Sequence, residues 1–213
     1  MKQTYLFDFD GTLVDSMSAF AALMLRILDE NGISYGEDIV KIITPLGYRG
    51  TAAYFQTLGI KKSVEEMMEI MHRYAKEEYE LRIPAKKTVA ETLHTMKARG
   101  DSLNVLTASP HAVLDPCLKR LGLWELFDHV WSCDDFGTTK ADPDIYVQAA
   151  ERLGCAPRDV IFVDDNVGAV KTAKRAGMKA VGIYDDSSAD YVEEMKAVSH
   201  RYIYTLSALL QEE

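Results

Sequence analysis

An apolar run, Tyr5-Leu6-Phe7, meets two acids spaced by one residue, Asp8 and Asp10, followed by Gly11-Thr12. This segment restricts the fold more than any other. The run is short and rich in residues that suit a pleated strand, so it predicts a buried strand ending at the first acid. Strand alternation puts Asp8 and Asp10 on the same side. Two like charges that close are costly unless a cation or a shared proton compensates. Gly11 lets the backbone turn sharply after them. Asp-Gly is also common in ordinary turns. At the carboxyl end of a buried strand, however, the pair occupies the edge where open α/β sheets bind ligands.

The rest of the chain fits such a sheet. From about Ser16 to about Arg82 the apolar spacing is helical. Phe20, Leu23, Met24, Ile27 and Leu28 fall on one face, and Asn31-Gly32 ends that helix. Tyr54, Phe55 and Leu58 mark a second, short helix. Val64, Met67, Met68, Met71 and Tyr74 mark a third, whose methionine stripe reads as packing core. After Pro84 the signals alternate. Helices are expected near 86–99, 111–121, 143–153 and 167–176. Strands are expected at Asp101–Leu106, Val130–Ser132, Val160–Val163 and Ala180–Tyr184. A short strand containing Tyr202 and a last helix follow. Gly100, Gly122, Gly154 and Gly177 stand where those helices should end. Alternating strands and helices predict a doubly wound, Rossmann-like parallel α/β sheet. The expected core is residues 1–15 with 84–213. A small all-helical domain, residues 16–83, is inserted after the first strand, with hinges near 14–18 and 81–85.

Three further strand ends carry polar chemistry. The strand ending at Leu106 runs into Thr107-Ala108-Ser109, where a hydroxyl and following backbone N–H groups could donate to a phosphate oxygen. Lys140 lies in Thr-Thr-Lys-Ala-Asp-Pro-Asp-Ile-Tyr, ahead of a helix opened at Asp142-Pro143. Val160–Val163 runs into Asp164-Asp165-Asn166, a second pair of acids that is expensive without a cation.

In that order and at those strand ends, the four segments resemble the motifs of the haloacid dehalogenase superfamily. Most of its members are magnesium-dependent phosphatases and phosphomutases. The resemblance spans residues 8–165. One departure is Ala141, where a proline is common. The resemblance implies that Asp8 is the nucleophile and Asp10 the acid/base. It implies that Thr107, the backbone of Gly11 and Ala108, and Lys140 hold phosphate. It implies a Mg2+ ion on Asp8, the carbonyl of Asp10 and Asp165 directly, with Asp164 reached through water. It also implies that 16–83 is a cap that selects the substrate. Dehalogenases of the superfamily attack carbon and lack the second acid, so Asp10 points to phosphate chemistry.

Two other readings compete with a phosphoglycolate-phosphatase-like hydrolase. One is a mutase resembling β-phosphoglucomutase. Arg49, in Leu-Gly-Tyr-Arg-Gly, sits where that mutase places a cap arginine, and a guanidinium suits phosphate. Against it, Pro110 and His111 replace a Lys-Asn pair of the mutase; His111 reads as a helix-start surface residue, with a proton donor or a substrate contact as the other readings. The other is a phosphate-binding domain without turnover, which would have no need of Asp10.

With 47% hydrophobic and 27% charged residues, 213 residues suffice for a sizeable core. A net charge of -9 disfavours nucleic acid and anionic membranes as partners. Local lysines and a cation can still attract a phosphate. Cys117, Cys133 and Cys155 are odd in number and far apart, which suits thiols of a reducing cytosol better than a disulfide framework. No signal peptide precedes Asp8 and no run is long enough to span a membrane. The expectation is a cytoplasmic monomer acting on a small phosphorylated metabolite.

Overall fold

The computed structural model describes residues 2–43 and 46–211. Six strands form one parallel sheet in the order β3-β2-β1-β4-β5-β6. They are β1 (Thr4–Phe7), β2 (Ser102–Thr107), β3 (His129–Ser132), β4 (Val160–Asp164), β5 (Lys179–Ile183) and β6 (Arg201–Ile203). The chain winds outward from β1 in one direction through β2 and β3, then in the other through β4 to β6. The winding therefore reverses beside β1, where a doubly wound sheet opens a crevice at its carboxyl edge. Register carries this through: Phe7 lies opposite Val105 on one side and Val163 on the other. Asp8 and Asp164 are thus level at the edge, and Thr107 lies one residue beyond them.

The strands are apolar because they are covered on both faces. Leu6, Phe7, Leu103, Val105, Phe162 and Val163 are fully buried. The one polar residue inside β2, Asn104, donates from Nδ2 to the Tyr5 carbonyl at 3.0 Å and to Ser102 Oγ at 3.1 Å. Helices α5 (Val89–Ala98), α6 (His111–Arg120), α7 (Asp144–Arg152) and α8 (Val167–Arg175) supply the covering layers. Gly100, Gly122, Gly154 and Gly177 follow them with positive φ, as expected of helix stops.

Contacts divide the chain into two compact units, Met1–Asp15 with Pro84–Glu213, and Ser16–Ile83. The second unit is helical: α1 (Met17–Glu30), α2 (Ile39–Ile43), α3 (Gly47–Thr57) and α4 (Val64–Leu81). It has its own core, in which Met24, Ile27, Phe55, Met67 and Met71 are buried. The methionine stripe is packing core. A reciprocal cap starts α4: Glu66 N–H donates to Ser63 Oγ at 3.1 Å, and Ser63 N–H to Glu66 Oε2 at 2.7 Å.

Three elements differ from the sequence reading. The last helix is a 3-10 stretch, Leu206–Leu210. Helix α2 and a further helix, α9 (Val192–Val198), were not anticipated. Five and seven residues are too short for a helical period to show, and α9 buries only Met195. Its trace in the sequence is Gly182 of β5, where an added Cβ would lie 2.4 Å from Met195 Cγ. Among the described residues, no helix is long and apolar enough to cross a membrane.

Candidate active site

Asp8 is the first residue past β1. Its N–H extends the ladder by one bond, to the Val163 carbonyl at 2.9 Å. The strand ends before both acids, so side-chain contacts rather than strand alternation decide where each carboxylate lies. The Asp8 carboxylate takes a hydrogen bond from the Lys140 ammonium. Lys140 also donates to Asp164 Oδ2 at 2.8 Å. The Lys140 loop is fixed from below by fully buried Tyr146 of α7, whose hydroxyl donates to the Lys140 carbonyl at 3.1 Å.

Asp164 closes β4, and its Oδ1 accepts from Asn166 N–H at 2.7 Å. Asn166 in turn caps α8 through Ala169 N–H at 3.1 Å. Asp165 is set by the turn after β1. Thr12 Oγ1 donates to it at 3.3 Å. Gly11, at φ +77°, passes so close that a Cβ there would lie 2.7 Å from both Asp165 oxygens. Carboxylate oxygens of Asp8, Asp164 and Asp165 all lie within 4.8 Å of one another, and all three residues are buried.

Three buried acids share a single ammonium. Burial pushes the Asp8 carboxyl up to about 7; Lys140 opposes this, and Asp164 and Asp10 reinforce it. Burial also raises Asp165 well above the ordinary range, with Asp164, Asp8 and Asp185 adding to the effect. For Lys140, burial alone would lower the pKa, but Asp164 and Asp8 outweigh it and hold the group cationic. An oxygen-only set with surplus negative charge is what a hard cation such as Mg2+ prefers, so the residues fit the ion that the sequence implied.

Asp10, whose charge also bears on Asp8, has a different partner. Ser109 Oγ donates to Asp10 Oδ2 at 2.5 Å. Thr107 ends β2, buried, and its Oγ1 accepts from Ser109 N–H at 3.0 Å, which leaves its own proton to donate elsewhere. Ala108 is exposed at the tip of that turn. The edge thus brings together Asp8, Asp10, Gly11, Thr107, Lys140, Asp164 and Asp165. Arg49 belongs to the other unit, exposed on α3 and paired with Glu65 at 3.2 Å. His111 opens α6 with its ring between Asp115 at 2.7 Å and Asp135 at 2.9 Å. The Asp115 hydrogen bond, aided by Asp135, raises its pKa.

Sequence reasoning missed two residues of this region, Ser109 and Lys86. Ser109 had a faint signal, as a second hydroxyl two places after Thr107. Lys86 had none, because nothing local distinguishes it from neighbouring Lys87.

The family model described as haloacid dehalogenase-like hydrolase matches residues 5–183. The chain belongs to that family. Among its relatives is the pyrophosphatase PpaX of Bacillus velezensis, 33% identical over 84% of this chain and 81% of the relative. A phosphoglycolate phosphatase of Shigella boydii is 30% identical over 83% of this chain and 79% of the relative. A solved structure from Thermotoga maritima, provisionally named a β-phosphoglucomutase, superposes with a TM-score of 0.83 at 25% identity. It covers 98% of this chain and 96% of its own. The hydrolase therefore shares both its sheet and its inserted helical segment with proteins of this family.

Proposed function

We propose that this hydrolase is a magnesium-dependent phosphatase that cleaves a small phosphomonoester through an aspartyl-phosphate intermediate. The chain is a phosphatase of the haloacid dehalogenase type; the ion, the covalent route and the roles of residues are our reading. One observation carries it. A buried acid, Asp8, is paired with an ammonium inside a carboxylate cluster, while a second acid two residues on is held separately by a hydroxyl.

Asp8, the Asp10 carbonyl and Asp165 would hold Mg2+ directly, and Asp164 through water. When bound, the ion supplies positive charge that keeps Asp8 ionised and offsets charge on the phosphoryl group. Asp8 attacks phosphorus and forms the aspartyl phosphate while the bond to the leaving oxygen breaks. Asp10 gives its proton to that oxygen, then takes one from the water that hydrolyses the intermediate. Separate surroundings let two neighbouring acids play these different parts. Lys140, the Thr107 hydroxyl and the Ala108 N–H hold the phosphoryl oxygens; the Gly11 N–H, which the sequence suggested as a further donor, already donates to the Val14 carbonyl at 3.0 Å. Residues 16–83 act as the cap that chooses the substrate, with Arg49 as its candidate contact. The working enzyme is expected to be a cytoplasmic monomer.

The deciding experiment is phosphate release from a panel of small phosphomonoesters, with and without magnesium, with Asp8→Asn as control. Magnesium-dependent release that vanishes in the variant supports the reading. A variant that turns over at near-native rate overturns the nucleophile. Conversion of β-glucose 1-phosphate to glucose 6-phosphate would instead show a mutase, and silence with every compound would favour a binding domain.

A further inference from the structure

Lys86 follows the return of the chain into the sheet-bearing unit, 75 residues beyond Gly11. Its ammonium reaches three acceptors: the Gly11 carbonyl at 2.6 Å, the Tyr184 carbonyl at 2.8 Å and Asp185 Oδ2 at 2.9 Å. An ammonium has three protons, and here all three are used. The anchor is rigid at its other end too. Tyr184 and Asp185 directly follow β5, and Asp185 Oδ1 is held by Ser187 N–H at 2.9 Å and Ser187 Oγ at 2.6 Å. The Lys86 backbone is also fixed, its N–H donating to the Leu13 carbonyl at 2.9 Å. Only about a fifth of the side chain is exposed, so solvent screens these bonds weakly.

We propose that Lys86 is a positioning residue: it locks the turn that carries Asp8 and Asp10 by clamping the Gly11 carbonyl to the end of β5. The inference rests on the phosphatase reading for what the turn does, but not for how it is held. The peptide after Gly11 is planar, so fixing that carbonyl fixes the Thr12 amide with it. Thr12 then holds Asp165 through its hydroxyl. The turn's own backbone bonds, from Gly11 N–H to the Val14 carbonyl at 3.0 Å and from Leu13 and Val14 N–H to the Phe9 carbonyl at 2.8 and 3.1 Å, shape it locally, and the Lys86 ammonium ties it to the end of β5. An ordinary surface ion pair would join two side chains; this one spends two of its three bonds on backbone carbonyls from separate turns.

The test is Lys86→Met, with Lys86→Gln read in the same way should the first variant not fold, and Asp185→Asn as the control that removes the acid but keeps the lysine. Two readouts are taken: kcat and KM on an aryl phosphate with saturating magnesium, and hydrogen–deuterium exchange across the turn. The expected result is a kcat lower by about tenfold or more with KM within about twofold, as for a misplaced reacting group. Exchange should quicken at Gly11–Val14 and stay unchanged in β1, and Asp185→Asn, which removes one acceptor but leaves both carbonyl bonds of the ammonium, should change each readout less than the lysine variants do. Native kcat in the lysine variant would overturn the proposal. So would unchanged exchange in the turn, or faster exchange throughout β1, which would mark a merely structural lysine. A wild-type protein silent on all phosphates would sink the phosphatase reading alone, because exchange in the turn still decides the role of Lys86.

Discussion

Asp8 ties the stability of the metal-free protein to pH. Its folded pKa, raised by burial to about 7, lies above the ordinary value of 3.8. Between those values the folded state binds more protons than the unfolded one, so stability falls as pH rises. The loss begins near pH 4, is complete above about 7, and amounts to at most about 1.4 kcal/mol per pH unit from one group. In chelator-treated protein the melting temperature should therefore drop between pH 5 and 8, and magnesium should restore it at pH 8. Asp8→Asn should make the pH slope shallower, leaving the part that the raised Asp165 contributes; an equally steep slope in the variant would place the proton elsewhere. Gly11→Ala tests the neighbouring constraint. The new methyl meets both Asp165 oxygens at 2.7 Å on a backbone that disfavours any side chain. Magnesium-dependent turnover should fall by about a hundredfold, and near-native activity would show that Asp165 can move without consequence. At this scale much of the site was legible, because Asp8, Thr107, Lys140, Asp164 and Asp165 each follow a strand or precede a helix that the pattern itself announces. Ser109 and Lys86 were not. Their partners lie 99 and 75 residues away; Ser109 left only the faint signal of a second hydroxyl after Thr107, and Lys86 stands at no strand end that would single it out.

Among the elements, α5 begins under strain. Thr88, just before it, is the non-glycine residue with positive φ among those described, at 67°. A β-branched residue in that region costs about 1–2 kcal/mol, and its hydroxyl recovers only a long bond from Ser207 N–H at 3.4 Å. Thr88→Gly should relieve the strain while giving back about 0.4–1 kcal/mol to the entropy of the unfolded chain. The net expectation is a gain of about 0.5–1 kcal/mol, read as a higher urea midpoint with an unchanged slope. A lower midpoint would mean that the hydroxyl bond outweighs the strain. The sequence did not betray this position, because nothing in Thr88-Val89 marks a left-handed residue. The long elements did show themselves. α1 and α4 carry apolar stripes over 14 and 18 residues, and the strands are bounded by glycines and polar turns. α2 and α9 stayed hidden for the opposite reason: their burial is settled by what packs on them, not by their own period.

For the molecule as a whole, a reversing parallel sheet followed from strands alternating with helices, but strand order did not; it rests on pairings between distant segments. What the structure adds is the way the sheet-bearing unit closes on itself. Asp15 N–H donates to the Pro84 carbonyl at 3.0 Å, and Val14 bridges Ala85 in antiparallel fashion. The two ends flanking residues 16–83 thus form the open end of a hairpin, and a two-residue turn such as Asn-Gly could join them without stretching the sheet. The helical unit meanwhile buries its own apolar residues, Leu23 to Ala75, in a separate cluster. Replacing residues 16–83 with Asn-Gly should therefore give a protein that melts cooperatively and is still stabilised by magnesium, since Asp8, Asp164 and Asp165 all remain. It should hydrolyse a generic aryl phosphate slowly while losing its preference among natural phosphomonoesters. Absence of a cooperative transition would show that the sheet-bearing unit needs the helices to fold. Retained preference would move substrate choice out of residues 16–83 and onto the strand ends themselves.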